Sequence, residues 1–242
     1  MKAIKTLIGA AVMLATCSFS YGTVYFQNQG DNTKWPNYPQ SPEAKGTISN
    51  VSSPHYGSDK TSIHFTQTFV SGYTGRYHSE VDVEAIQQNN QDRYYGLAVY
   101  LPSNWQNASD QVNFQQWAGT GPWVIMRIDG TDVLILFDSS ATGGGEPHLQ
   151  AMPHGVWTRV VSRIYSHGST GVFQCWINGS LKITRDGNFQ APGNGGAIRW
   201  SAGCYVSGWY QQSAPQGPSF RETYEGHYRV TDSMSSADPA NW

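Results

Sequence analysis

The run Val172-Phe173-Gln174-Cys175-Trp176-Ile177-Asn178-Gly179-Ser180-Leu181-Lys182-Ile183-Thr184-Arg185 is two alternating segments joined by an Asn-Gly pair. Alternation with period two sends successive side chains to opposite faces of an extended chain. Asn-Gly supplies the two positive φ angles that a two-residue type I′ hairpin turn needs. A second hairpin is written the same way, with residues 123–128, Asp129-Gly130 and residues 131–137. Outward from these two, strand patterning recurs at residues 61–69, 77–85, 94–101, 112–117, 157–165, 205–210 and 222–231. No stretch carries a 3.6-residue apolar period of any length. About ten strands without helices can bury their apolar faces only against one another. The expected fold is therefore all-β, a two-sheet antiparallel jelly roll with a concave cleft.

Composition agrees. Only 13% of the 242 residues are charged, and Gly, Tyr and Trp (26, 14 and 9) are plentiful, a poor mixture for helices. The Gly/Pro-rich stretches 139–153, 190–196 and 213–219 read as loops within one domain, because strand patterning continues on both sides. At the start, Met1-Lys2-Ala3-Ile4-Lys5 precedes an apolar run too short to span a bilayer and then small residues. This describes a secretory signal peptide over residues 1–22, leaving one domain at 23–242 and an exported, extracellular protein that does not engage a membrane. Without Lys2 and Lys5 the balance is thirteen basic against seventeen acidic residues, so the net charge moves from −2 to −4. A nucleic-acid partner is excluded on that ground, since phosphate tracking requires a dominant basic face. A few arginines gathered locally could still hold an acidic ligand. The leader also takes Cys17, and an even pair in an exported chain predicts a Cys175–Cys204 disulfide.

Three segments carry ionisable or amide groups in a pattern suited to chemistry. In Arg76-Tyr77-His78-Ser79-Glu80-Val81-Asp82-Val83-Glu84, an extended chain places His78, Glu80, Asp82 and Glu84 on one face and the valines on the other. In Val112-Asn113-Phe114-Gln115-Gln116-Trp117, Gln116 alternates away from Trp117 and can face a cleft while the indole packs. In Arg221-Glu222-Thr223-Tyr224-Glu225-Gly226-His227-Tyr228, Tyr224 and Tyr228 share a face with Gly226 between them, which leaves room for a flat ring.

In this order, the three segments resemble the glucuronan lyase family and, more broadly, the jelly-roll polysaccharide lyases that include heparinase-type and alginate lyases. The resemblance extends through Tyr94-Tyr95-Gly96-Leu97-Ala98-Val99-Tyr100-Leu101-Pro102-Ser103-Asn104-Trp105, Pro122-Trp123 and His154-Gly155-Val156-Trp157-Thr158-Arg159. It implies a lyase that cleaves a 4-linked polyuronide, β-1,4-glucuronan first, by syn β-elimination, with an acidic polysaccharide as partner and a monomer as the working unit. It implies His78, Gln116 and Tyr228 as catalytic, with Tyr224 as the rival to Tyr228, and Arg76, Glu80, Arg127 and Trp117 as substrate-binding. The chemistry would need no cofactor, although a structural calcium is conceivable on fold grounds, with Asp232 as the one ligand suggested. Two departures stand out. Related alginate lyases carry a histidine where this chain has Ala118 and a lysine where it has Tyr224, which makes alginate the poorer substrate.

Two other readings compete. Glu80-Val81-Asp82-Val83-Glu84 also suits a retaining β-glucanase with Glu80 and Glu84 as its carboxylate pair. The abundant aromatic residues would equally serve a jelly roll that only binds carbohydrate.

Overall fold

Strands form wherever apolar side chains alternate with polar ones, and the inward set then decides how the sheets stack. The computed structural model describes residues 22–32, 35, 45–119, 121–137, 145–191 and 197–241; the proposed leader, apart from Gly22, lies outside these. Among the described residues there are fourteen strands: β1 (Val24–Asn28), β2 (Thr47–Val51), β3 (Ser62–Thr68), β4 (His78–Gln87), β5 (Asp92–Tyr100), β6 (Ala108–Ala118), β7 (Pro122–Gly130), β8 (Asp132–Phe137), β9 (His148–Ala151), β10 (Trp157–Tyr165), β11 (His167–Ile177), β12 (Ser180–Phe189), β13 (Ile198–Val206) and β14 (Phe220–Thr231). A single helical turn, α1 (Met234–Ala237), follows them.

One sheet runs β12-β11-β10-β5-β14-β3-β2, with β1 paired to β14, and the other runs β4-β13-β6-β7-β8-β9. All pairings are antiparallel. The all-β, two-sheet jelly roll is as expected. Between the sheets lie Trp117, Trp123, Trp200, Tyr95, Tyr228, Phe65, Phe114 and Phe173, each fully buried. Burying one such side chain stabilises by roughly 2–3 kcal/mol, and edge-to-face contacts such as Tyr95 on Trp117 (5.2 Å) add orientation.

Both hairpins are present, but one turn sits a residue later than expected. Ile177 pairs with Ser180 across Asn178-Gly179, and both turn residues have positive φ (50° and 80°), as type I′ demands. In the other, Asp129 pairs with Asp132, so the loop is Gly130-Thr131, with glycine first at φ 59°. A leading glycine is the mark of a type II′ turn. Strands β1, β2 and β9 were not anticipated, and β9 occupies part of a stretch read as loop. The strand expected at residues 205–210 instead ends at Val206 and begins at Ile198; Ser207–Trp209 form a 3-10 turn.

The expected Cys175–Cys204 disulfide is absent: both are free and buried. Cys175 lies on β11 and Cys204 on β13, in different sheets. Strand β13 packs on β14 and β3, whereas β11 stands three strands from β14 in the facing sheet. At ~4.8 Å per strand this is a lateral offset of about 14 Å, beyond what a disulfide bridges. Burial pushes the Cys175 thiol up to about 12 and raises that of Cys204 as well.

Candidate active site

The outer face of the six-stranded sheet carries a cleft of about 360 Å³. Its floor is laid out by strand register. His78 on β4 pairs with Tyr205 on β13, Tyr205 with Asn113 on β6, and Asn113 with Arg127 on β7. This row of four crosses four strands, and all four line the cleft. A parallel row runs Asp82, Ser201, Gln116, Ile125. On β6 a bulge near Phe114 turns two consecutive residues, Phe114 and Gln115, toward the core. Gln115 there accepts from Trp200 Nε1 and leaves Gln116 to the cleft.

The cleft groups are held by one another. Gln116 Nε2 donates to Glu80 Oε1 at 2.8 Å, and His78 Nδ1 lies 3.4 Å from Glu80 Oε2. The Tyr205 ring stands beside His78, centroids 5.6 Å apart. Arg127 donates to Glu146 at 2.5 Å, and its buried Nε has no partner among the described residues, as is also true of Arg199 Nε. Arg76 adds a third guanidinium at the exposed rim. Burial, reinforced by the neighbouring Glu80, pushes the Asp82 carboxyl up to about 6, against the pull of Ser201 and Arg199.

Of the residues anticipated from sequence, His78, Gln116, Glu80, Arg76 and Arg127 come together in this cleft. Trp117 and Tyr228 do not reach it. Both are fully buried between the sheets: Trp117 alternates inward, whereas Tyr228, expected to share a face with Tyr224, is turned inward by a bulge in β14 between Gly226 and Arg229, where His227 has φ 58°. Tyr228 packs edge-on to Trp35 (4.7 Å) and donates to buried Glu225 at 3.5 Å. Tyr224 lies on the outer face of the other sheet, stacked on His64. The phenol in the cleft is Tyr205, which sequence reading passed over by starting its strand there. A start at Ile198 would have put Trp200, Ala202, Cys204 and Val206 inward, all four of them buried, and Tyr205 outward. Glu84 does not line the cleft, and Glu80 is engaged by Gln116 and His78, so among the described residues Glu80 and Glu84 do not face a ligand there as a pair. Among the described residues no three His, Cys, Asp or Glu side chains converge.

The pattern of the family described as polysaccharide lyase matches residues 27–226. The chain belongs to the polysaccharide lyase family. A lyase removes the hydrolase reading and the purely binding one. No curated sequence matches the chain. Among solved structures, the lyase is similar to an endo-β-1,4-glucuronan lyase from the fungus Trichoderma reesei, at 25% identity and TM-score 0.80, covering 91% of this chain and all of that one. A cellulose-induced protein, Cip1 (13% identity, TM-score 0.59, covering 86% and 97%), and a family 7 alginate lyase, A1-II′ (14%, 0.52, covering 74% and 83%), share the fold.

Proposed function

We propose that this lyase is an exported enzyme that cleaves a 4-linked polyuronide, β-1,4-glucuronan above all, by syn β-elimination, with Tyr205 exchanging the proton. The observation that carries the reading is the cross-strand pair of Tyr205 and His78, in the same cleft as Gln116 and bordered by three arginines. The likeness to the Trichoderma reesei enzyme supports glucuronan, and the basic-then-apolar start of the sequence supports export.

Elimination begins by removing the proton from C5 of a uronate, a carbon made weakly acidic by its carboxylate. Charge then grows on that carboxylate and must be met by fixed donors. The second N–H of Gln116, the Asn113 amide and Arg127 are placed to supply them. In a 4-linked glucuronate, H5 and O4 lie on the same side of the ring, so a single side chain between them can take the C5 proton as phenolate and, now a phenol, return it to O4. A C4–O4 bond breaks, a C4=C5 double bond forms, and the leaving chain departs as an alcohol. His78, beside the Tyr205 ring, assists by stabilising the phenolate when protonated or by accepting a proton when neutral.

The test is incubation with glucuronan, alginate and pectate, followed by ultraviolet absorbance of the unsaturated uronate. Glucuronan is expected to give the fastest rise. Faster cleavage of alginate or pectate, or no absorbance with any of them, would overturn the substrate assignment.

A further inference from the structure

On the opposite side of the sandwich is a second cavity, of about 190 Å³, lined by Asn104, Trp105, Gln106, Phe220, Arg221 and Glu222, with prolines at its edge. At ~30 Å³ per water this is the space of about six waters, the bulk of one sugar ring. Phe220, Glu222 and Tyr224 share the outward face of β14, so the cavity faces away from the elimination cleft.

Its walls are fixed in advance. The turn that carries Trp105 is closed by Trp105 N–H donating to Pro102 O at 3.0 Å. Buried Arg221 makes two bonds to Asp110 (2.8 and 2.7 Å), donates to Gln106 O at 2.5 Å, and lies 4.5 Å over the Trp105 ring. Trp105 Nε1 is buried without a partner among the described residues. Phe220, at the mouth of the cavity, is 45% exposed and offers apolar surface to it.

One polar group is poised to receive a ligand. Glu222 Oε2 accepts from His64 Nε2 at 2.6 Å and from Tyr224 O–H at 3.0 Å. These bonds hold its carboxyl below the usual range despite partial burial. Both use the same oxygen, and Oε1 has no hydrogen bond to a described residue. The exposed Phe220 ring, the amides of Asn104 and Gln106 and an oriented, ionised carboxylate make a set suited to a polyol: an apolar ring face against carbon, hydroxyls donating to the carboxylate. A uronate would meet Glu222 as a like charge, so the polymer cut in the cleft is disfavoured here. A cation is disfavoured too, because the Arg221 guanidinium already covers the Trp105 ring.

From this geometry we infer a second carbohydrate site, for a neutral, hydroxyl-rich sugar of a polysaccharide other than the substrate. It would tether the enzyme to a neutral matrix polymer while the cleft stays open. The inference does not depend on which polyuronide the cleft cleaves.

The experiment is calorimetric titration of the full chain with cellohexaose, laminarihexaose and xylohexaose. At least one is expected to bind saturably, and Phe220→Ala and Glu222→Gln are each expected to weaken that binding at least tenfold. Both positions lie outside the cleft, so elimination rates on a soluble polyuronide should stay within twofold. Phe220 is already exposed, which guards against a variant that merely fails to fold. No saturable binding of any of the three probes, or binding unchanged by both substitutions, would overturn the site.

Discussion

Tyr205 and Tyr228 are the same side chain in opposite situations. Tyr205 stands in a wet cleft beside His78; Tyr228 is sealed among Trp35, Trp200 and Glu225, where burial raises its phenol well above the usual range. A phenol that exchanges protons with a substrate must touch it, so Tyr205→Phe is expected to lose at least a thousandfold in turnover with the fold intact by circular dichroism. Tyr228→Phe forfeits only a long hydrogen bond to Glu225 and should keep most of its activity. The reverse order of the two rates would return the chemistry to Tyr228. Asp82 offers a test through pH. Its folded value, about 6, lies above the ordinary aspartate value of 3.8, so the folded state holds the proton more tightly. Stability from this group is full below about pH 4 and is lost as pH rises through about 6. Two units correspond to about 3 kcal/mol. Asp82→Asn cannot ionise, so urea unfolding should find it more stable than the native chain near pH 8, by up to that amount, with the gain vanishing near pH 4. A gain equal at both pH values would mean that ionisation of Asp82 is not what costs stability.

At the scale of the strand, β13 brings the site together. It lies between β4 and β6 and so sets His78 on one side of Tyr205 and Asn113 on the other. Its register slips between Ala202 and Tyr205, and Gly203 sits there at φ 148°, a conformation that residues with a Cβ rarely adopt. An added Cβ would stand 2.2 Å from the Ser79 carbonyl oxygen and 2.9 Å from Glu80 Cα. Neither backbone atom can move without shifting β4, which carries His78. Gly203→Ala is therefore expected to cost about 2–4 kcal/mol of stability and, because it displaces Tyr205 against His78, to lower kcat more than it raises KM. Thermal unfolding with steady-state kinetics checks this; an alanine variant as stable and active as the parent would show that β13 tolerates the shift. The same strand explains why part of the site escaped sequence reading. Ala202-Gly203-Cys204 looks like a break in patterning, yet it is the middle of a strand, and its glycine is required by close backbone approach rather than by a turn. His78 and Glu80 were legible because the alternation of β4 is unbroken around them, and Gln116 because it still alternates with Trp117 beyond the bulge that precedes it.

At the scale of the molecule, a chain with net charge −2 presents a local basic border: Arg76, Arg127 and Arg199 reach one cleft from three different strands or strand ends. Charge totals cannot reveal such a gathering, because only sheet order brings residues 76, 127 and 199 together. The thiols follow the same rule. Strand order separates Cys175 from Cys204, so both should titrate as thiols in denatured, unreduced protein. In the native state both should react slowly, since burial raises each thiol and hides it. Absence of titratable thiols after denaturation would indicate a bridge. By itself, the sequence determined what depends on near neighbours along the chain. Period-two alternation and the Asn-Gly hairpin required strands. The lack of helical periods required that they bury each other in two sheets, and the family motifs carried the lyase reading. Only the tertiary structure decided which tyrosine enters the cleft, whether the cysteines meet, and where a second cavity opens. Those depend on strand order and on single-residue slips in register, and a bulge of one residue reverses which side chains face the core without changing the composition of the strand.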